Sequence, residues 1–179
     1  MRFTLHEHPG GVETEAGPRV VYDLERNEAS VGPARVSGHA LVWELGGDVA
    51  GAALAAEVEL DPAVGWVVRC DRIDFPPGGI AHRHVHPGPG IRRLLHGELT
   101  IDAEGGARSF GPGDAWFEGS DYPVLATASA TEDTAFVRVL LLPREWEGKR
   151  TIRYVNADDD AKPKLQRATI FLEQPLRVE

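Results

Sequence analysis

A short run of alternating histidines between two turn-forming segments constrains this 179-residue chain more than any other feature. His82, His84 and His86 occupy every second position, after the segment 76–79 (PPGG) and before the segment 87–90 (PGPG). Proline and glycine in such clusters mark turns, so the histidines are predicted to lie on a short strand. Alternate side chains of a strand point to the same face, so the three imidazoles are predicted to share one side of a sheet.

Imidazole is the commonest side-chain metal ligand, and a His-x-His pair on a strand can give two nitrogens to one ion. The α-carbons of His82 and His86 would lie about 13 Å apart, because residues two apart on a strand are about 6.6 Å apart. Two neighbouring histidines can therefore converge on one ion, whereas the third belongs at the pocket rim or behind the ligands. The alternative is a metal-free pocket lined by hydrogen-bonded histidines.

The rest of the chain predicts many short strands joined by turns and no convincing helix. Strand patterns occur at residues 39–45, 66–75, 91–101, 124–129 and 134–142, with weaker patterns at 20–22, 52–60, 151–155, 169–172 and 176–178. The segment 52–60 is ambiguous, because its alanines also favour a helix. The 20 glycines and 13 prolines suit such a chain. Residues 1–20 are polar and predict a solvated arm. The expected architecture is an all-β antiparallel sandwich or barrel.

The spacing of glycines around the histidines resembles the first motif of the cupin family. Gly78, His84, His86, Gly90 and Gly97 keep that spacing, but the family has a glutamate where this chain has Gly90. The segment 110–114 (FGPGD) is similar to the turn that opens the second cupin motif, although Val124 stands where that motif would carry a histidine. The resemblance spans about residues 66–142 and implies an antiparallel jelly-roll β-barrel.

The same resemblance implies that His84 and His86 hold a divalent transition metal, with iron, manganese, nickel and zinc as the options. Two family ligands are missing, so a further ligand or supporting residue is sought at His82, His96 or Glu118. If the strand after Gly90 keeps its alternation, Arg92 faces inward, where a buried arginine suits an anionic ligand. The alternative is a register one residue different, with Arg93 inside, or both arginines at the surface paired with acids. Trp116 would supply an apolar wall beside it.

Two functions are compatible with these features. The first is a cupin-type metalloprotein, an oxidoreductase of the dioxygenase type or an isomerase, that acts on a small anionic organic substrate. The second is a non-catalytic cupin that binds a small molecule at a degenerate metal site. The missing glutamate and second-motif histidine favour the second function, while the retained His-x-His pair favours the first.

Composition restricts the partners and the compartment. The formal net charge of −9 argues against nucleic acid or an anionic membrane as the main partner. One cysteine, Cys70, excludes an internal disulfide and is expected to be a buried inert thiol. We expect a cytoplasmic protein without a signal peptide or membrane span, and, from the cupin resemblance, a homodimer. Residues 1–179 are predicted to form a single domain, with a barrel core at about 66–142 and extensions at 1–65 and 143–179.

Overall fold

The computed structural model describes residues 1–178, which form β-strands with two short 3-10 helices. The first seven strands are β1 (Arg2–His8), β2 (Val12–Thr14), β3 (Arg19–Asp23), β4 (Glu28–Val31), β5 (Ala34–Val36), β6 (Ala40–Leu45) and β7 (Leu54–Glu57). The next eight are β8 (Trp66–Phe75), β9 (Ile80–Val85), β10 (Gly90–His96), β11 (Leu99–Ala103), β12 (Gly106–Phe110), β13 (Ala115–Glu118), β14 (Val124–Ala128) and β15 (Thr134–Pro143). The strands β16 (Arg153–Tyr154) and β17 (Arg167–Leu176) follow, with the 3-10 turns at Arg144–Trp146 and Ala157–Ala161.

Two five-stranded antiparallel sheets pack face to face and form the part of the fold that carries the histidines. We name them the first core sheet, with the order β13-β10-β15-β8-β17, and the second core sheet, with the order β12-β11-β14-β9-β16. Their facing sides share one apolar cluster, in which Ile73, Leu94 and Phe136 of the first core sheet meet Leu99 and Ala126 of the second. Apolar burial between the sheets therefore holds them together.

A third five-stranded sheet, with the order β4-β3-β6-β1-β7, covers the other side of the first core sheet. Phe3, Tyr22 and Trp43 of this N-terminal sheet pack in one buried cluster with Cys70 and Val139. The first core sheet thus lies between two layers, which explains why β15 is buried at nine of its ten positions. The prediction of a solvated arm at residues 1–20 is wrong, because β1 and β3 belong to this sheet.

The all-β antiparallel class is confirmed by this strand topology. Within residues 1–178 the core strands form two separate sheets, and they do not close into one hydrogen-bonded barrel. The predicted strand at residues 66–75 coincides with β8, and the pattern at 91–101 divides at Gly97 into β10 and β11. The stretch 151–155 contributes only the two-residue β16. The single long strand β17 includes all of 169–172 but only the first residue of 176–178.

None of the helical turns within residues 1–178 has the length and apolar character needed to cross a lipid bilayer. The structure of one chain does not test three of the expectations, which are the homodimer, the cytoplasmic location, and the division into core and extensions. They stay predictions.

Candidate functional site

A cavity of about 360 Å³ lies between the two core sheets, within the size range of small-molecule sites. Its apolar wall consists of Ile73, Phe75, Ala81, Ile101, Trp116, Val124, Ala126 and Phe136. Its polar lining includes Asp71, His84, His86, Arg92, Glu118 and Arg138. Residues 148–152 and four residues of the stretch 164–170 complete it, and since most of these are exposed to solvent they border the opening.

The strand that carries the histidines does not alternate regularly. Its pairing with β14 shifts register, so that Ala126 lies opposite Ala81 and Val124 lies opposite His84. Ala81 and His84 are both buried with two residues between them, which is the effect of a β-bulge. His82 therefore does not share the face of His84, and its side chain lies outside the cavity lining. The prediction that all three imidazoles face one side is wrong for His82.

The two remaining histidines, His84 and His86, are buried side by side, with ring centroids 5.0 Å apart and ring planes at 83°. Nδ1 of His84 lies 2.7 Å from the backbone carbonyl oxygen of His82. Since a carbonyl oxygen only accepts, Nδ1 carries the proton and Nε2 of His84 keeps a free lone pair. His82 thus orients His84 through its backbone, although its side chain is not a ligand.

Both ring nitrogens of His86 are already engaged. Nη1 of Arg138 lies 3.0 Å from Nε2 of His86, and Nδ1 of His86 lies 3.2 Å from Oγ1 of Thr151. Because arginine only donates, Nε2 accepts and Nδ1 donates to the threonine hydroxyl. Burial first, and the Arg138 guanidinium second, hold the pKa of His86 well below its usual value. Burial also lowers the pKa of His84, with partial compensation from Glu118, so both imidazoles are neutral at pH 7.

Arg138 is fixed by Asp71, which lies directly opposite it on β8. Nε of Arg138 donates to Oδ1 of Asp71 at 2.6 Å and Nη2 donates to Oδ2 at 3.2 Å. Both side chains are buried, so the bidentate pair is shielded from solvent. Arg92 lies opposite Arg138 on the other side of β15, so three neighbouring strands place Asp71, Arg138 and Arg92 in one row.

Arg92 lines the cavity, the orientation expected if β10 keeps its alternation, and at 1% exposure it is among the most deeply buried large side chains. Nη1 donates to the carbonyl oxygen of Gly90 at 2.6 Å. Nη2 lies 2.7 Å from Oε2 of Glu118 in an ion pair, but its orientation leaves it without a hydrogen-bond partner among residues 1–178. Burial lowers the pKa of Arg92 to about 10, and the attraction of Glu118 offsets only part of that effect.

Glu118 and Trp116 support Arg92 from the neighbouring strand β13. Nε1 of Trp116 donates to Oε1 of Glu118 at 2.8 Å, and the tryptophan ring forms part of the apolar wall. Glu118 lies opposite Gly90 in the strand register. A side chain at Gly90 would bring its Cβ within 2.7 Å of the Val139 backbone oxygen, so the glutamate of the cupin motif does not fit there without a backbone shift.

His96 does not belong to this site. It is exposed at the end of β10, where Nδ1 lies 3.1 Å from the carbonyl oxygen of Asp133 and Nε2 lies 3.3 Å from Nη2 of Arg72. The prediction of His96 as a further ligand is wrong, because the strand carries it past the cavity. Glu118, in contrast, is at the site, as the partner of Arg92.

Sequence reasoning missed Asp71, Arg138 and Thr151. Arg138 had one local signal, since it is the only charged residue in the apolar run at residues 135–142. Asp71 carries no comparable local signal in the sequence. Thr151 bonds His86 although the two residues are 65 positions apart in the sequence. These partners depend on strand pairing and on the path of the C-terminal segment.

The side chains in their present arrangement do not fit a metal centre. Only His84 offers a free ring nitrogen, while Arg138 occupies Nε2 of His86 and Glu118 is engaged by Arg92 and Trp116. Two guanidinium groups at the same site would also repel a divalent cation. Within residues 1–178, no three His, Cys, Asp or Glu side chains lie close enough to share an ion.

Comparisons with known proteins give partial likenesses to solved structures and no activity. No family model matches the chain, and no curated protein matches it. Among solved structures, the polyketide cyclase RemF from Streptomyces resistomycificus is similar at 20% identity and TM-score 0.41, with 54% of this chain and 64% of that chain covered. An RmlC-like cupin from Shewanella frigidimarina gives 18% identity and TM-score 0.39, covering 44% of this chain and 68% of the other.

The DMSP lyase DddQ from Ruegeria pomeroyi gives 25% identity and TM-score 0.42, with 49% of this chain and 43% of that chain covered. This chain spans less than two thirds of the length of RemF and of DddQ. These likenesses cover about half of this chain at TM-scores below 0.5, so the cupin resemblance stays a prediction from the sequence motif. Fold and site together define an all-β antiparallel protein with a buried His-Arg cavity between two sheets.

Proposed function

We propose that the protein binds a small organic anion in this cavity, with the acidic group of the ligand on Arg92 and its apolar body between the core sheets. The observation that carries the proposal is the buried Arg92 guanidinium, which lines the cavity and whose Nη2 has no hydrogen-bond partner among residues 1–178. A buried donor left unmatched costs free energy, and a ligand oxygen that accepts from it recovers that cost.

The charges around the cavity support an anionic ligand. The protein carries a net charge of −9, yet cations outnumber anions in the cavity lining. The cationic side chains are Arg69, Arg92, Arg138, Lys149, Arg150 and Lys164, and the anionic ones are Asp71 and Glu118. Three of the cations lie in the C-terminal segment near the opening, where they would attract an anion before it enters.

Phenylacetate is a suitable probe, with phenylacetamide as its uncharged counterpart of the same shape. Titration calorimetry should detect binding of the acid to the native protein and binding at least about tenfold weaker for the amide. Replacing Arg92 by Gln should weaken the binding of phenylacetate by about 10–100-fold, because a hydrogen bond to a charged group is worth about 1.5–3 kcal/mol.

Arg93→Gln is the matched control, because Arg93 is buried on the same strand but bonds Glu7 at 2.8 Å and does not line the cavity. It should leave the dissociation constant within about twofold of the native value. Circular dichroism would establish that both variants are folded. Equal binding of the acid and the amide, or equal loss in the two variants, would refute the proposal.

A second candidate is the metalloprotein, an oxidoreductase of the dioxygenase type that acts on a small anionic substrate. The observation that favours it is the free Nε2 of His84 beside a cavity of suitable size. Iron, manganese, nickel and zinc all accept imidazole ligands. Metal analysis of protein purified without a polyhistidine tag tests it: about one metal ion per chain that is lost in the His84→Ala/His86→Ala variant supports this candidate.

A further inference from the structure

The Arg138 guanidinium lies between a carboxylate and an imidazole that would together attract a cation. It donates two hydrogen bonds to Asp71, at 2.6 and 3.2 Å, and one to Nε2 of His86, at 3.0 Å. His84 lies next to His86, with its own Nε2 free. The guanidinium therefore bonds one carboxylate and one imidazole, with a second imidazole beside the first, and these are ligand types that suit a divalent first-row metal.

We propose that Arg138 replaces the metal ion of this site as an internal cation. Its charge neutralises the buried Asp71 carboxylate, and its N–H group occupies the lone pair that His86 would offer to a metal. The natural protein then needs no divalent metal to hold its site together. In the native arrangement Asp71, His84 and His86 lie too far apart to share an ion. Removal of the guanidinium frees the space between Asp71 and His86, so that their side chains can move together and form, with His84, a metal site that water completes. This inference goes beyond the anion binding proposed above and does not depend on which anion binds.

Cobalt(II) is the probe, because its visible absorption reports coordination number and ligand type directly. The full-length native protein, incubated with Co²⁺ and desalted, should retain less than about one tenth of an equivalent. Arg138→Met should retain about one Co²⁺ per chain, since Met fills the volume without charge and leaves Asp71 in need of a cation. The absorption of this variant should show nitrogen and oxygen ligation.

Arg93→Met is the matched control for loss of a buried arginine, and it should retain no more Co²⁺ than the native protein. Arg138→Met/His84→Ala/His86→Ala should lose the gained metal. If Arg138→Met alone does not fold, Arg138→Met/Asp71→Asn removes both charges together and should still retain more Co²⁺ than the native protein, through the two imidazoles.

Two outcomes would overturn the inference: native protein that retains one Co²⁺ per chain, or folded Arg138 variants that retain no more metal than the native protein. Phenylacetate binding with and without a chelator is measured in parallel on the native protein. If the chelator abolishes phenylacetate binding, the internal-cation proposal is also overturned. If Arg92→Gln binds phenylacetate as well as the native protein does, only the proposed function is overturned.

Discussion

The buried pair of Asp71 and Arg138 offers the sharpest test of how this cavity is held together. Asp71 is 2% exposed and accepts two hydrogen bonds from the guanidinium. An ion pair with about 4 Å between charge centres is worth about 4 kcal/mol at an effective dielectric constant of about 20. Removal of one partner from a buried pair costs about 3–5 kcal/mol, because the other charge stays buried without compensation.

Asp71→Asn keeps the shape and one acceptor oxygen, so we expect a loss near the lower limit, about 3 kcal/mol in the free energy of unfolding. Urea denaturation followed by fluorescence measures it, provided that the slope against denaturant is unchanged. Asp74→Asn is the matched control on the same strand, since the Asp74 side chain is 40% exposed in its pair with Arg72. The free energy of unfolding of Asp74→Asn should fall by less than about 1 kcal/mol.

The double variant Asp71→Asn/Arg138→Met, with the two single variants, completes a double-mutant cycle. Because it removes both charges, we expect it to be more stable than the sum of the two single losses predicts, by about 2 kcal/mol or more. The reasoning fails if Asp71→Asn costs no more than Asp74→Asn, or if the two single losses simply add.

Three further predictions concern other parts of the same layer. Gly90→Ala should cost about 1–3 kcal/mol of unfolding free energy in urea, because its Cβ would press on the Val139 backbone; an unchanged midpoint would contradict this. Burial raises the pKa of the Cys70 thiol well above its usual value, so DTNB should label native protein at least about 100-fold more slowly than urea-unfolded protein, and fast native labelling would contradict the packing. Because the pKa of His86 is depressed in the folded protein, the unfolded chain takes up the proton first, and the free energy of unfolding should fall as the pH decreases below about 6.5. Its slope against pH should be steeper for the native protein than for His86→Gln by up to about 1.4 kcal/mol per pH unit. Equal slopes for the two proteins would contradict the depressed pKa.

Much of the fold could be predicted because it depends on local patterns. Turn-forming glycines and prolines bound the strands, and alternation placed β8 correctly at Trp66–Phe75. The same alternation placed Arg92 inside, and the motif spacing selected His84 and His86, both of which are buried at the cavity. These residues could be found because strand direction alone decides which side they face.

The errors arise where pairing between distant strands decides the outcome. The bulge that turns His82 away exists only through the register of β9 against β14. The partner that occupies His86 comes from β15, and its own partner comes from β8. Strand patterns at 20–22, 39–45 and 52–60 anticipated three strands of the N-terminal sheet, but β1 was missed. Its apolar residues alternate with polar ones, so that burial of Phe3 and Leu5 is evident only once the layers are stacked.

The opening of the cavity is built from a different part of the chain than its floor. The charged floor belongs to strands between residues 71 and 138, whereas the rim belongs to residues 148–152 and to the stretch 164–170. The rim is tied to the floor through its backbone, since Ile170 lies opposite Asp71 in the pairing of β17 with β8 and Thr151 bonds His86. Ligand preference can therefore change through exposed rim side chains such as Lys149 and Arg150 while the paired charges below stay as they are.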